Sequence, residues 1–180
     1  MNTSIALLRG INVGTAKQVS MADLAEVFRS KGHTDVTTVL RSGNVVFSHA
    51  APLAAGAADD LQTAIAAATG VSSSVLVVDA PTVRAIVEAN PLLDVGTDHS
   101  RLVVGFVSGR PDPSVAPDPA SLAPERLVVG ERAVYQWCPD GISKSTVPPA
   151  FWREVAPLVT VRNWRTVLRL AELVGVGSSR

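Results

Sequence analysis

The chain has 180 residues, is 47% hydrophobic and 18% charged, and balances 16 Lys+Arg against 16 Asp+Glu. That length makes one domain or two small lobes sharing a core. A formal net charge of zero argues against a general nucleic-acid coat or a polybasic membrane binder, while leaving room for a local basic patch.

Arginine outnumbers lysine 13 to 3, and its planar fork suits carboxylates and phosphates. Cys138 is alone, which excludes an internal disulfide framework and a cysteine-rich zinc site. Ile5 to Leu8 is too short an apolar run for a signal peptide, and nothing approaches a membrane span. The expected compartment is therefore the cytoplasm.

Ser4 to Leu8 reads as a central strand, apolar on both sides. Gly10 and Gly14 punctuate the polar loop after it. Ser20 can cap the next helix, with Met21, Leu24, Ala25 and Phe28 on one face and Gly32 as its stop. Val36 to Leu40 and Asn44 to Ser48 predict a hairpin turning at Arg41-Ser42-Gly43. Leu53 to Ala68 predicts an alanine-rich helix ended by Gly70, and Val75 to Val78 a fourth strand. This order is the ferredoxin-like βαββαβ unit, here spanning residues 1–79. Its first strand runs antiparallel to its third, so Arg9 and Gly10 approach Arg41, Ser42, Gly43 and Asn44.

Residues 80–180 predict a second α/β lobe packed on the first, with the two forming either separate units or one integrated domain. Pro81 to Ala89 reads as a short helix ended by Asn90-Pro91. Arg101 to Val107 is a strand. Gly109 to Pro124, with five prolines, is a long surface loop. Arg126 to Val129 and Ala133 to Trp137 form a hairpin, and Pro149 to Val155 one or two helical turns. Thr160 or Asn163 can cap a last helix running to Leu173. Taken as regular from Arg162, that helix buries Trp164, Val167, Leu168 and Ala171 and turns Arg162, Arg165 and Arg169 outward. The strand order of this lobe stays open.

The polar residues suggest an anion-binding corner. The loop with Arg9, Gly10, Asn12 and Gly14 lacks the phosphate-loop lysine and the dinucleotide spacing, but a glycine loop can still present backbone N–H groups to an anion. Arg41, Ser42 and Asn44 would meet it. Arg162 and Asn163, with Tyr135 and Lys144, would line the same groove if the last helix begins opposite. The bland alternative is a tight crossover, an ordinary hairpin turn and a core tryptophan helix. His33, His49 and His99 have no metal spacing and no linked nucleophile, and read as surface histidines. Cys138 reads as a structural thiol. No cofactor and no metal site follow from the pattern.

Four stretches carry a resemblance: ALLRGINVG (Ala6 to Gly14), SGNVVF (Ser42 to Phe47), PDG with Ser143-Lys144-Ser145 after it, and TVRNWRTVLRLAEL (Thr160 to Leu173). The chain resembles the bacterial family DUF1697 nearly end to end. It departs from the family pattern at Gly14-Thr15, where paired glycines are usual, at Ser145, where leucine is common, and at Thr160-Val161, where paired threonines are common. The resemblance implies an α+β fold with a ferredoxin-like first half, and no established activity. Four functions remain open: binding of a small phosphorylated or carboxylated ligand, a structural or protein-interaction role, an enzyme acting on a nucleotide or phosphoester, and nucleic-acid binding. Neither enzymatic status nor oligomeric state follows from the sequence.

Overall fold

The computed structural model describes residues 1–12 and 18–176. Gly14 therefore lies outside the described residues. Two compact units emerge: Met1–Val83 together with the chain from Leu170 onward, and Arg84–Arg169.

In the first unit, strand β1 (Asn2–Leu8) is followed by helix α1 (Met21–Ser30), strands β2 (Thr34–Val39) and β3 (Asn44–His49), helix α2 (Ala57–Thr69) and strand β4 (Val75–Asp79). Helix α3 (Ala80–Glu88) leads away from β4. The sheet order is β2-β3-β1-β4, with every neighbouring pair antiparallel. This is the ferredoxin-like arrangement expected from the element order. Alternation sends Ala6, Leu8, Val45, Phe47 and Val75 to one face, where Leu24, Val27, Phe28, Leu61 and Ile65 of the two helices meet them. Ile5 and Leu7 point the other way and are equally buried, which is why β1 reads as apolar throughout.

Local chemistry sets the ends of these elements. The Ser20 hydroxyl caps α1 by accepting from the N–H groups of Ala22 and Asp23 at 3.2 and 3.4 Å. Helix α2 starts at Ala57, not at Leu53, because Gly56 takes a left-handed φ of 89° just before it. Strand β2 ends at Val39 because Leu40 is left-handed, with φ 59°.

The second unit contains strand β5 (Leu102–Val107), a single short helix α4 (Pro119–Leu122), strands β6 (Arg126–Val129) and β7 (Ala133–Trp137), helix α5 (Pro149–Glu154) and strand β8 (Val159–Asn163). Helix α6 (Trp164–Leu173) follows directly. The sheet order is β6-β7-β5-β8, so the chain is a duplicated ferredoxin-like α+β fold. The long proline-rich segment between β5 and β6 holds α4 and a 3-10 turn at Pro113–Val115, each capped by an aspartate, Asp118 and Asp112. Val107, Leu122, Val134, Phe151, Val155 and Val159 form the core. Gly105 is required there: a Cβ would stand 2.8 Å from Cζ3 of Trp152.

The final helix departs from the expectation. Arg162 lies in β8, paired in register with Val104, and not on a helix. Its alternating neighbours Val159 and Val161 belong to the core face of the sheet, so strand periodicity persists to Asn163. Asn163 then caps α6: its Oδ1 accepts from the Thr166 N–H at 3.0 Å and the Thr166 hydroxyl at 2.9 Å. The outward arginine stripe thus loses its first member. Among the described residues no helix is long and apolar enough to cross a membrane.

Candidate functional site

The end of β1 and the β2–β3 turn are stitched together. Leu7 pairs in register with Asn44, and the Leu8 N–H donates to the Gly43 carbonyl at 2.8 Å. Gly43 fits only as glycine, since its φ is 76° and a Cβ would stand 2.8 Å from both Leu8 Cβ and Ile11 Cδ1. Arg9 begins the loop beyond β1. Its N–H donates to the Ser74 carbonyl at 3.0 Å, and its carbonyl accepts from the Ser73 hydroxyl at 3.0 Å. The Arg9 backbone is therefore fixed on both sides while its side chain stands exposed.

Asn12 fastens this loop to its surroundings. Its Nδ2 donates to the Arg41 carbonyl at 2.7 Å and to the Val19 carbonyl at 3.1 Å, and its Oδ1 accepts from the Val19 N–H at 2.8 Å. A φ of 53° lets it do so, a conformation asparagine tolerates better than most residues. Asn44, fully buried, does the same within the hairpin: its Nδ2 donates to the Val39 carbonyl at 2.8 Å and to the Ser42 hydroxyl at 2.9 Å. Both asparagines hold backbone in place.

That leaves the arginines. Neither Arg9 nor Arg41 forms an ion pair among the described residues. Arg41 makes one long hydrogen bond, Nη2 to Gln18 Oε1 at 3.4 Å. Both arginines are exposed beside a backbone held by these hydrogen bonds. Gly10, with φ 72°, turns the chain directly after Arg9.

The remaining expected residues belong to the second unit. Tyr135 is buried, and its hydroxyl donates to the Ile86 carbonyl at 2.8 Å; burial pushes its pKa up to about 12. The Asn163 side-chain oxygen is occupied by the α6 cap described above. The Arg162 Nη1 donates to the Thr160 hydroxyl and the Val161 carbonyl, each at 2.9 Å, and burial lowers its guanidinium to about 10. Lys144 is exposed at the end of a 3-10 turn, Ile142–Lys144.

Two polar clusters escaped the sequence. Glu125, 9% exposed, accepts from the Gln136 amide at 2.7 Å and the Ser145 hydroxyl at 2.8 Å on one oxygen, and from the Thr146 N–H and hydroxyl on the other. Burial pushes this carboxyl up, but the Thr146 N–H, the Ser145 hydroxyl, the Gln136 amide and the Thr146 hydroxyl outweigh it and hold it below its ordinary value. His49 is buried, not on the surface. Its Nδ1 lies 2.7 Å from the Ala51 carbonyl, which can only accept, and its Nε2 lies 2.9 Å from the Ser4 hydroxyl. No group of three His, Cys, Asp or Glu among the described residues is arranged to hold a metal ion.

The model of the family described as "Protein of unknown function (DUF1697)" matches residues 1–135. The chain belongs to that family. The matched span contains every residue of the Arg9–Arg41 corner. A solved structure described as that of the conserved bacterial protein SP0830 from Streptococcus pneumoniae is similar to this DUF1697 protein over 96% of this chain and 98% of the other, with TM-score 0.72 and 23% identity. At that identity the likeness concerns the fold. No curated protein matches the chain.

Proposed function

We propose that this DUF1697 protein binds a small phosphorylated or carboxylated molecule at the corner formed by Arg9, Gly10 and Arg41. The observation that carries the reading is the Asn12 clamp: it ties the Arg9 loop to the Arg41 carbonyl while both guanidiniums remain exposed and without a carboxylate partner among the described residues. Arginine forks suit such planar or tetrahedral anions.

The internal duplication supplies a comparison within one chain. In the second unit the Ser108 N–H donates to the Leu158 carbonyl at 2.9 Å, as the Arg9 N–H does to Ser74. Gly109 follows with φ 73°, matching Gly10 at 72°. The two corners share this bond and this φ, yet Ser108, whose hydroxyl accepts from the Leu158 N–H at 2.9 Å, stands where the first unit has Arg9, and the β6–β7 turn carries Gly130, Glu131 and Arg132. The turn at this point forms in the second unit without an arginine. That argues against a purely structural reason for the Arg9 side chain.

A thermal-shift screen against nucleotides, sugar phosphates, small carboxylates and short oligonucleotides tests the reading. A melting shift given by one or more small anions, and lost in Arg9→Gln and Arg41→Gln, supports it. A shift by oligonucleotides alone, or shifts that both variants retain, rejects it.

A further inference from the structure

The tip of the β2–β3 turn holds a residue that the anion-binding reading does not use. Leu40 is 62% exposed and left-handed, with φ 59°. Each feature is unfavourable: a bulky L-residue clashes with its own backbone at that φ, and its apolar surface faces water. The conformation persists because the carbonyls on both sides are clamped. The Val39 carbonyl accepts from Asn44 Nδ2 at 2.8 Å, and the Arg41 carbonyl accepts from Asn12 Nδ2 at 2.7 Å. Glycine or asparagine would occupy the position without strain. Strain held in place by surrounding hydrogen bonds is a feature of ligand-contacting turns, and here the strained side chain is the one next to Arg41.

We propose that the ligand of this corner is a phosphate ester with an apolar or aromatic organic part, the phosphate on Arg9 and Arg41 and the organic part against Leu40. This inference rests on the anion-binding reading and adds the class of ligand. It explains why a leucine is presented at the tip, where it would otherwise only cost stability. The other two left-handed non-glycine residues among the described ones, Asn12 and Asp35, are of the types that tolerate the conformation.

The test is a titration of the full chain with inorganic phosphate and with phenyl phosphate, followed by amide chemical shifts, in wild type, Leu40→Gly and Leu40→Asn. Wild type binds phenyl phosphate roughly fivefold to tenfold tighter than inorganic phosphate, the gain expected from covering part of one leucine. Both variants bring phenyl phosphate down to the inorganic value, leave inorganic phosphate within about twofold, and melt no lower than wild type, since the strain is relieved. Equal affinity of wild type for the two phosphates, or a preference that both variants keep, overturns the inference and leaves the arginine corner standing. Absence of binding by either phosphate also overturns the inference, while the corner itself is overturned only if the small carboxylates and other anions of the screen fail as well.

Discussion

Replacing Asn12 tests whether the corner is as tightly built as its hydrogen bonds imply. The side chain makes three bonds, at 2.7, 2.8 and 3.1 Å, to Arg41 and Val19. Each is worth about 0.5–1.5 kcal/mol net, so the three together give about 1.5–4.5 kcal/mol, and partial exposure puts the sum near the lower end, about 2 kcal/mol. Asn12→Gly removes the bonds and keeps the φ of 53° accessible, so it should cost about 2 kcal/mol. Asn12→Ala adds the strain of a left-handed alanine, about 1 kcal/mol more. For a chain of this length that corresponds to a fall in melting temperature of roughly 4–8 °C for the glycine variant. Urea unfolding at pH 7 gives the free energies, and the order wild type, glycine, alanine is as informative as their size. A loss below about 0.5 kcal/mol in the alanine variant, the size of an ordinary surface change, would refute the claim that Asn12 ties the two loops.

Three further outcomes follow from the same geometry. Gly43→Ala places a Cβ 2.8 Å from Leu8 Cβ, which backbone pairing holds in place, and should destabilise the chain by about 2–3 kcal/mol by urea unfolding. Glu125→Gln puts an amide N–H against donors that now point at a carboxylate, costing about 1–3 kcal/mol at neutral pH. Because the folded carboxyl is held below its ordinary value, its contribution is complete above the unfolded pKa near ~4.3 and disappears as pH falls through the folded one. Wild type and variant should therefore converge in stability under acid, and a gap independent of pH would contradict the assignment. Burial, with the nearby Glu125 charge, pushes the Cys138 thiol up to about 12, so thiol reagents at pH 8 should label it only on unfolding; rapid labelling of folded protein would show that the thiol is accessible.

Much of the first unit was legible because its signals are local. Ser20 caps, Gly70 stops, and the short apolar runs of β1 and β3, buried on both faces, are plain in the letters. The pairing of the end of β1 with the β2–β3 turn, seen in the Leu8 N–H on the Gly43 carbonyl, followed from topology alone. The roles of the polar residues within that corner were harder. Asn12 and Asn44 looked like ligand donors, and their amides are spent on backbone carbonyls. Single letters do not show which turn residue goes left-handed, so Leu40 passed for the end of a strand. In the second unit, Arg162 was assigned to a helix because the apolar spacing after it is helical; only pairing with β5 makes it a strand residue. Glu125 was invisible because its partners lie 11 to 21 residues downstream and converge only in the folded sheet.

The central claim is that Arg9 and Arg41 serve one anion, and a calorimetric double-mutant cycle addresses it directly. The best phosphorylated ligand from the screen is titrated into wild type, Arg9→Gln, Arg41→Gln and the double variant. Each single change should weaken binding by about tenfold or more, as expected for a charge-assisted hydrogen bond, and the double variant by less than the product of the two, because a shared anion couples them. Affinities unchanged in the single variants would contradict it.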